Sequence, residues 1–138
     1  MDPNDTNNAN IKNSKLLYKD LSYAVVGVLI SAHNEPGPYG KEKQYAGAVK
    51  KIFKAKGISY IRELRVGDNG NILEMVVEDK IALEFKAKRI TTKEDYYQVQ
   101  RYLQATGLKL ALLVNFRDKL IKPKRILRIE NWNDSASH

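Results

Sequence analysis

Hydrophobic residues recur along the chain at helical spacing first and at strand spacing later. Apolar positions three or four residues apart predict a first helix over residues 17–32 and a second over Lys41–Lys56. A third helix is predicted from Thr92 to Ala105, because Asp95 follows Thr92 by three residues, as at a helix N-terminus. Shorter apolar runs bounded by turn residues predict strands at Ser59–Val66, Ile72–Val77, Ile81–Ala87, Leu108–Phe116 and Arg125–Glu130.

The order of these elements, α-α-β-β-β-α-β-β, predicts a protein of the α/β class in the broad sense. More narrowly, it predicts an α+β domain with a single mixed sheet. Asn34–Gly40, with two Pro and two Gly, separates the first two helices, and Gly67-Asp68-Asn69-Gly70 is a hairpin turn. A chain of 138 residues buries one core. We therefore expect one domain over residues 13–132, with loose tails at residues 1–12 and 133–138.

Composition excludes several classes of protein and favours a polyanionic partner. Because the chain has no cysteine, it holds neither a disulfide framework nor a thiolate metal site. Its longest apolar stretch, Leu21–Ala32, is shorter than the ~20 residues of a membrane span, and the polar start is unlike a secretory signal. We expect a cytoplasmic protein without membrane contact. The net charge of +8 favours nucleic acid as a partner, although the same charge could serve solubility alone.

Two glutamates are predicted to face each other across a hairpin. If residues 78–80 form its loop, Glu74 lies directly opposite Glu84, and facing carboxylates repel each other. Lys86 projects from the same face as Glu84, because alternate strand residues share a face. Carboxylate oxygens suit a hard divalent cation such as Mg²⁺ or Mn²⁺. The alternative for Glu74 is an exposed carboxylate that a nearby Lys or Arg balances.

This pattern resembles a known group of enzymes. Glu74, then nine residues, then Glu84-Phe85-Lys86 resembles the PD-(D/E)XK nuclease superfamily, and the helix segment 98–102, Q-V-Q-R-Y, is similar to its RecB-type branch. Over roughly residues 15–128 the chain is similar to the GxxExxxR family of that superfamily. The segments that carry this likeness are His33–Pro38, Glu42–Tyr45, Gly57-Ile58 with Arg62, Val77–Lys80, Glu84–Ala87, Tyr102–Lys109 and Leu112–Phe116. The resemblance implies a restriction-endonuclease-like αβββαβ core, here with an added N-terminal helix.

The resemblance also implies which residues form a metal site. Glu74 and Glu84 would hold Mg²⁺ or Mn²⁺, and the main-chain carbonyl of Phe85 would be a third oxygen donor. Glu42, on the second helix, would be an extra ligand, or else a first-turn glutamate that the helix dipole favours. Lys86 would position the attacking water and stabilise charge on the phosphate.

Further residues are candidates for substrate contact. Gln98 and Tyr102 share one helix face, as residues four apart do, and would orient the phosphate; the alternative is a helix surface with a half-buried tyrosine. The candidate nucleic-acid contacts are Lys86, Gln98, Tyr102, Arg101 and Lys88. His33 and Glu35 form a second tier, since a histidine at a helix end is more often a cap or a hydrogen-bonded core residue than a base.

The expected function is metal-dependent hydrolysis of DNA phosphodiester bonds, and RNA is not excluded as a substrate. A homodimer would be one source of further contacts with the nucleic acid. The alternative is a catalytically degenerate module that binds nucleic acid or a partner protein without cutting. Its support is Glu74, where the family usually has Asp, and Tyr39, where it has Gly. A structural or regulatory domain with incidental charge is a third hypothesis.

Overall fold

A single mixed sheet with helices on both faces forms the protein. The computed structural model describes residues 17–66 and 71–133, so the predicted turn at 67–70 and nearly all of both predicted tails lie outside the described residues. The helices are α1 (Lys19–Asn34), α2 (Glu42–Lys56) and α3 (Lys93–Thr106), with a 3₁₀ turn at Gly37–Tyr39. The strands are β1 (Tyr60–Val66), β2 (Asn71–Val77), β3 (Ile81–Lys86), β4 (Leu110–Asn115) and β5 (Lys124–Leu127).

The strands follow one another in chain order across the sheet. β3 and β4 are parallel and all other neighbours are antiparallel. A parallel pair needs a crossover connection, which α3 supplies between β3 and β4. The predicted fold class, a mixed sheet with a three-stranded meander followed by a helix and a further strand, is confirmed.

The β2–β3 hairpin forms with the predicted pairing, since Val77 lies opposite Ile81. Glu78 and Asp79 both adopt left-handed backbone conformations, with φ of 53° and 55°. The Lys80 N–H donates to the Val77 carbonyl at 2.9 Å and closes the turn. This tight turn sets the register that brings Glu74 level with Glu84.

Alternate residues of the central strands face two separate cores. On the α1/α2 face, Ile81, Leu83 and Phe85 of β3 pack in a large apolar cluster with both helices. On the opposite, α3 face, Ala82 joins a smaller cluster. The members of that smaller cluster are Val76, Ala82, Val99, Tyr102, Leu103, Ala111, Leu113 and Ile126. Glu84, two residues after Ala82, therefore belongs to the α3 face.

The start of α3 has the predicted cap, because the Asp95 N–H donates to the Thr92 hydroxyl and Asp95 Oδ2 accepts the Thr92 N–H at 2.8 Å. In the middle of the helix, buried Gln100 ties α3 to the end of β5. Its Nε2 donates to the Leu127 carbonyl at 3.0 Å, and its Oε1 accepts the Ile129 N–H at 3.0 Å. These bonds fix the helix over the sheet.

Two predicted strands are shorter than expected by more than one residue. β4 begins at Leu110 instead of Leu108, because the Leu108 N–H donates to the Thr106 hydroxyl in the turn that ends α3. β5 ends at Leu127, whereas the prediction ran to Glu130. The Arg128 N–H donates to the carbonyl of Lys109, the residue before β4. The Ile129 N–H donates to Gln100 Oε1. No helix in the described ranges is long and apolar enough to cross a membrane.

Candidate metal and nucleic-acid site

Glu74 and Glu84 lie next to each other at one end of the β2–β3 ladder. The last matched pair of this ladder is Met75 with Leu83. The next residue outward is Glu74 on β2 and Glu84 on β3. Both carboxylates belong to the α3 face, since Glu74 is two residues from Val76 of the smaller cluster. The charge of Glu74 acts on Glu84, because the Glu74 carboxylate is among the causes that raise the pKa of Glu84.

Glu84 is a buried carboxylate with an unused acceptor. It is 6% exposed, and its Oε2 has no hydrogen-bond partner. Burial raises the pKa of Glu84 to about 7; Lys86 opposes this shift, the Glu74 and Glu42 carboxylates add to it, and the Phe85 N–H opposes it. A buried acceptor without a partner costs free energy, and a cation beside it would remove that cost.

Glu74 is half-buried and has a cationic neighbour. Its side chain is 23% exposed, and Arg62 Nε on β1 lies 3.8 Å from Glu74 Oε1. Burial raises the pKa of Glu74 against the opposing effect of Arg62, and the Glu42 and Glu63 carboxylates raise it further. Glu63 on β1 has a left-handed backbone, with φ of 57°. In the β1–β2 register Arg62 and Leu64 are paired and Glu63 is skipped, so this irregularity lies beside Glu74.

Glu42 reaches the same region from the other side of the sheet. It is the first residue of α2 and is exposed, and its charge raises the pKa of both Glu74 and Glu84. The charges of three carboxylates thus meet at this end of the strands, with Glu42 acting on Glu74 and both acting on Glu84. Their mutual repulsion makes the site receptive to a positive charge.

Lys86 is held in place by α3. Its Nζ donates to Gln98 Oε1 at 3.2 Å and lies 3.9 Å from Asp95 Oδ1. The ammonium is close enough to Glu84 to favour the ionised carboxylate. Lys86 and Gln98 are therefore brought together, with the ammonium beside the buried glutamate.

Tyr102 is buried on the same helix face as Gln98. Burial raises the pKa of Tyr102 to about 12, and the Glu84 carboxylate contributes to the rise. Tyr102 therefore stays a neutral phenol across the physiological range, able to donate a hydrogen bond toward this site.

Besides Lys86, two of the predicted nucleic-acid contacts are paired with carboxylates of α3. Lys88 Nζ lies 2.5 Å from Asp95 Oδ2, and Arg101 donates to Glu94 Oε1 at 2.5 Å. Their charges are largely balanced within the protein. Contact of either residue with a phosphate stays a prediction.

The second-tier residues have different surroundings. His33 is buried, its Nε2 lies 3.1 Å from the Phe116 carbonyl oxygen, and its ring stacks near Tyr45 and Phe116. It is a hydrogen-bonded core residue, which is the alternative that its position at a helix end favours. Glu35 is exposed at the end of α1.

Sequence reasoning missed two residues that organise the site. Asp95 was predicted as a helix cap, but it is also the partner of both Lys86 and Lys88. Burial alone would raise the pKa of Asp95, but the Lys88 ammonium, the Thr92 N–H and Lys86 together lower it. Buried Asn115, at the end of β4, holds the segment after β3, since its amide donates to the Lys88 carbonyl at 2.7 Å and accepts the Lys88 N–H at 3.1 Å.

The donor set of this site fits a hard divalent metal. In the two described ranges no group of three or more His, Asp or Glu side chains is close enough to hold a metal ion by itself. Two carboxylates with a main-chain carbonyl are the protein share of a site that leaves several positions to water, as Mg²⁺ sites do. The buried, unpartnered Oε2 of Glu84 is the observation that supports this fit.

Comparison with known proteins places the chain in a superfamily. The family model of the PD-(D/E)XK nuclease superfamily matches residues 19–129. The chain belongs to the PD-(D/E)XK nuclease superfamily. The match spans every helix and strand and all the candidate residues above. No curated protein and no solved structure matches the chain.

Membership of the PD-(D/E)XK superfamily accounts for the architecture, since the sheet and its helices agree with a restriction-endonuclease-like fold. Proteins of this superfamily are typically nucleases that use divalent metals. The narrower assignments to the GxxExxxR family and the RecB-type branch stay predictions.

Proposed function

We propose that this PD-(D/E)XK protein is a metal-dependent nuclease that hydrolyses DNA phosphodiester bonds. The observation that supports the proposal most strongly is the buried Glu84 carboxylate, with one unpartnered oxygen, beside a lysine held by Gln98. Such a group does not stabilise a packed fold, because burying an unpaired carboxylate costs free energy.

In this proposal the site residues have distinct roles. Glu74, Glu84 and the Phe85 carbonyl hold Mg²⁺ or Mn²⁺, with Glu42 as an extra ligand. When bound there, the ion supplies activation of a water molecule and neutralisation of phosphate charge. Glu84 must be ionised for this role, and the Lys86 ammonium beside it favours that form.

Lys86 and the polar face of α3 act on the substrate. The ammonium, fixed by Gln98 and drawn toward Asp95, holds the attacking water in line and stabilises charge that develops on the phosphate. The neutral Tyr102 phenol and the Gln98 amide orient the phosphate. Arg101 of α3 and Lys88, in the segment after β3, would contact the backbone of DNA.

A cleavage assay tests the proposal. Single- and double-stranded DNA are incubated with Mg²⁺ or Mn²⁺ and then with EDTA, for wild type, Glu84→Gln and Lys86→Ala. We expect cutting that EDTA abolishes and that each variant lowers by at least about 10²-fold. Glu130→Gln and Lys80→Ala are matched controls, because both residues are exposed and neither is among the candidate site residues.

DNA binding, measured alongside, separates loss of chemistry from loss of binding. If Glu84→Gln binds DNA as wild type does and no longer cuts, the carboxylate acts in the reaction. If wild type does not cut with either metal, or if Glu84→Gln cuts as well as Glu130→Gln, the nuclease proposal is wrong.

One observation favours a second candidate function, a degenerate module that binds nucleic acid without cutting. Arg62 already provides a cation 3.8 Å from Glu74, the ligand that stands where the family usually has Asp. An internal guanidinium can replace a metal as the counterion of that carboxylate. This candidate predicts salt-sensitive DNA binding that neither Mg²⁺ nor EDTA changes.

A further inference from the structure

An open depression with an exposed tyrosine adjoins the carboxylate site. It has a volume of about 510 Å³ and lies between the 3₁₀ turn, the start of α2 and the segments after β3 and β4. Its lining consists of Tyr39, Gly40, Lys41, Glu42, Lys43, Ala87 and Arg117. Three of these seven residues are cationic. Glu42 connects the depression with the carboxylates, because its charge acts on both Glu74 and Glu84.

Tyr39 extends into solvent from a turn that is anchored from behind. It is 89% exposed, the highest value among the large hydrophobic residues described. The fully buried Tyr45 donates its hydroxyl hydrogen to the Gly37 carbonyl and accepts the Gly40 N–H at 2.8 Å. A Cβ at Gly40 would lie 2.8 Å from the Tyr45 ring, so the turn packs directly on that ring.

The anchor itself is part of the main core. The Tyr45 ring stacks on Phe116 with centroids 4.3 Å apart and an angle of 5° between the planes. The backbone on both sides of Tyr39 is therefore connected to the core, while the Tyr39 ring makes little contact with the protein. An aromatic ring on a fixed support, surrounded by cations, is the arrangement with which proteins bind the bases and phosphates of single strands.

We propose that Tyr39 is a stacking platform for an unpaired base, and that Lys41, Lys43 and Arg117 bind the adjoining phosphates of a single-stranded DNA segment leading to the carboxylate site. This inference rests on the proposed nuclease function and specifies its substrate class. A base within a duplex has both faces covered by its neighbours, so a solitary exposed ring selects a single strand or an unpaired end.

Binding without metal tests the platform separately from catalysis. Fluorescence anisotropy in EDTA compares a labelled single strand of about 12 nucleotides with a blunt duplex of the same sequence. We expect the Tyr39→Ala variant to bind the single strand about tenfold more weakly, and Tyr39→Phe to stay within about twofold of wild type, because Phe keeps the ring. Tyr23→Ala is the matched control: Tyr23 is 83% exposed on α1 and does not line the depression.

Salt dependence separates the stacking contact from the charged ones. The Lys43→Ala and Arg117→Ala variants should each reduce the slope of log affinity against log salt by about 0.7, whereas Tyr39→Ala should leave the slope unchanged. Lys51→Ala, on the exposed side of α2 and outside the depression, is the control for charge.

The results distinguish failure of the platform from failure of the nuclease. Wild-type cutting with normal binding by Tyr39→Ala keeps the nuclease and overturns the platform. Weak binding by Tyr39→Ala without any cutting by wild type keeps the platform and overturns the nuclease. Equal losses for Tyr39→Ala and Tyr23→Ala, equal losses on duplex and single strand, or no single-strand binding by wild type would each overturn the platform.

Discussion

The two faces of the sheet are covered in different ways. Beneath α1 and α2, apolar side chains and stacked rings close the interface, with Phe116 in contact with Tyr45, Phe85 and His33. Beneath α3 the apolar cluster is smaller, and Glu84 and Lys86 extend from the same strand at its margin. One helix does not cover a whole sheet face, so the ends of β2 and β3 are left to polar groups.

This difference separates stability from chemistry within one small domain. The α1/α2 face contributes through burial, which is roughly proportional to apolar area. The α3 face includes a buried carboxylate that raises the free energy of the metal-free fold. Proteins commonly accept such a cost where a site must be ready to act.

The largest expected effect is on the α1/α2 face. Replacing Phe116 with Ala removes the ring against which Tyr45, Phe85 and His33 pack, so the free energy of unfolding should fall by about 3–5 kcal/mol. Urea unfolding followed by circular dichroism measures it. A loss below about 1 kcal/mol would mean that this face is not the main source of stability.

On the α3 face, by contrast, a substitution at Glu84 should raise the free energy of unfolding. Because the pKa of Glu84 is raised to about 7 from 4.5, the folded protein binds more protons than the unfolded one between those values. Wild type should therefore lose stability as pH rises through this window. Glu84→Gln should stabilise the metal-free protein by roughly 3 kcal/mol at pH 8 and by almost nothing near pH 4.

Urea titrations in EDTA at several pH values measure this difference, with Glu130→Gln as the exposed control. If Glu84→Gln is destabilising at pH 8, Glu84 is not the unfavourable buried charge that its surroundings indicate.

A bound metal ion should offset the free-energy cost of burying the Glu84 carboxylate. At a free Mg²⁺ or Mn²⁺ concentration one hundred times its dissociation constant, a site that forms in the folded state adds about 2.7 kcal/mol. The melting temperature of wild type should rise with metal, and more at pH 8 than at pH 6, because the ion competes with the proton on Glu84. Glu84→Gln should show no rise, and an equal rise in both proteins would place the metal elsewhere.

The smallest change in stability is expected for Gln98→Ala, which removes the hydrogen bond to Lys86 and should cost about 1 kcal/mol. Its effect on cleavage should be larger, about tenfold or more, because the ammonium loses its support. Lys93→Ala, at an exposed position of the same helix, is the control in both assays. Equal effects of the two variants on cleavage would mean that Gln98 has no role at the site.

Local patterns were enough to predict the order of the elements, a single mixed sheet and which of the candidate residues share a face. The hairpin around residues 78–80 brings Glu74 level with Glu84, and strand alternation puts Lys86 on the same face as Glu84. The spacing of Gln98 and Tyr102 places both on the helix face toward that strand. Each of these relations spans a few residues and follows from the geometry of a helix or strand.

Relations between distant segments were decided by the tertiary structure. No local pattern indicates that Asp95 pairs with two lysines of the preceding segment, or that Arg62 lies beside Glu74. The same holds for Tyr45, which supports the turn of Tyr39 through a ring stacked on Phe116, far away in the chain. Spacing along the sequence determines which residues share a face, whereas the packing of the helices on the sheet determines which faces meet and which groups become buried.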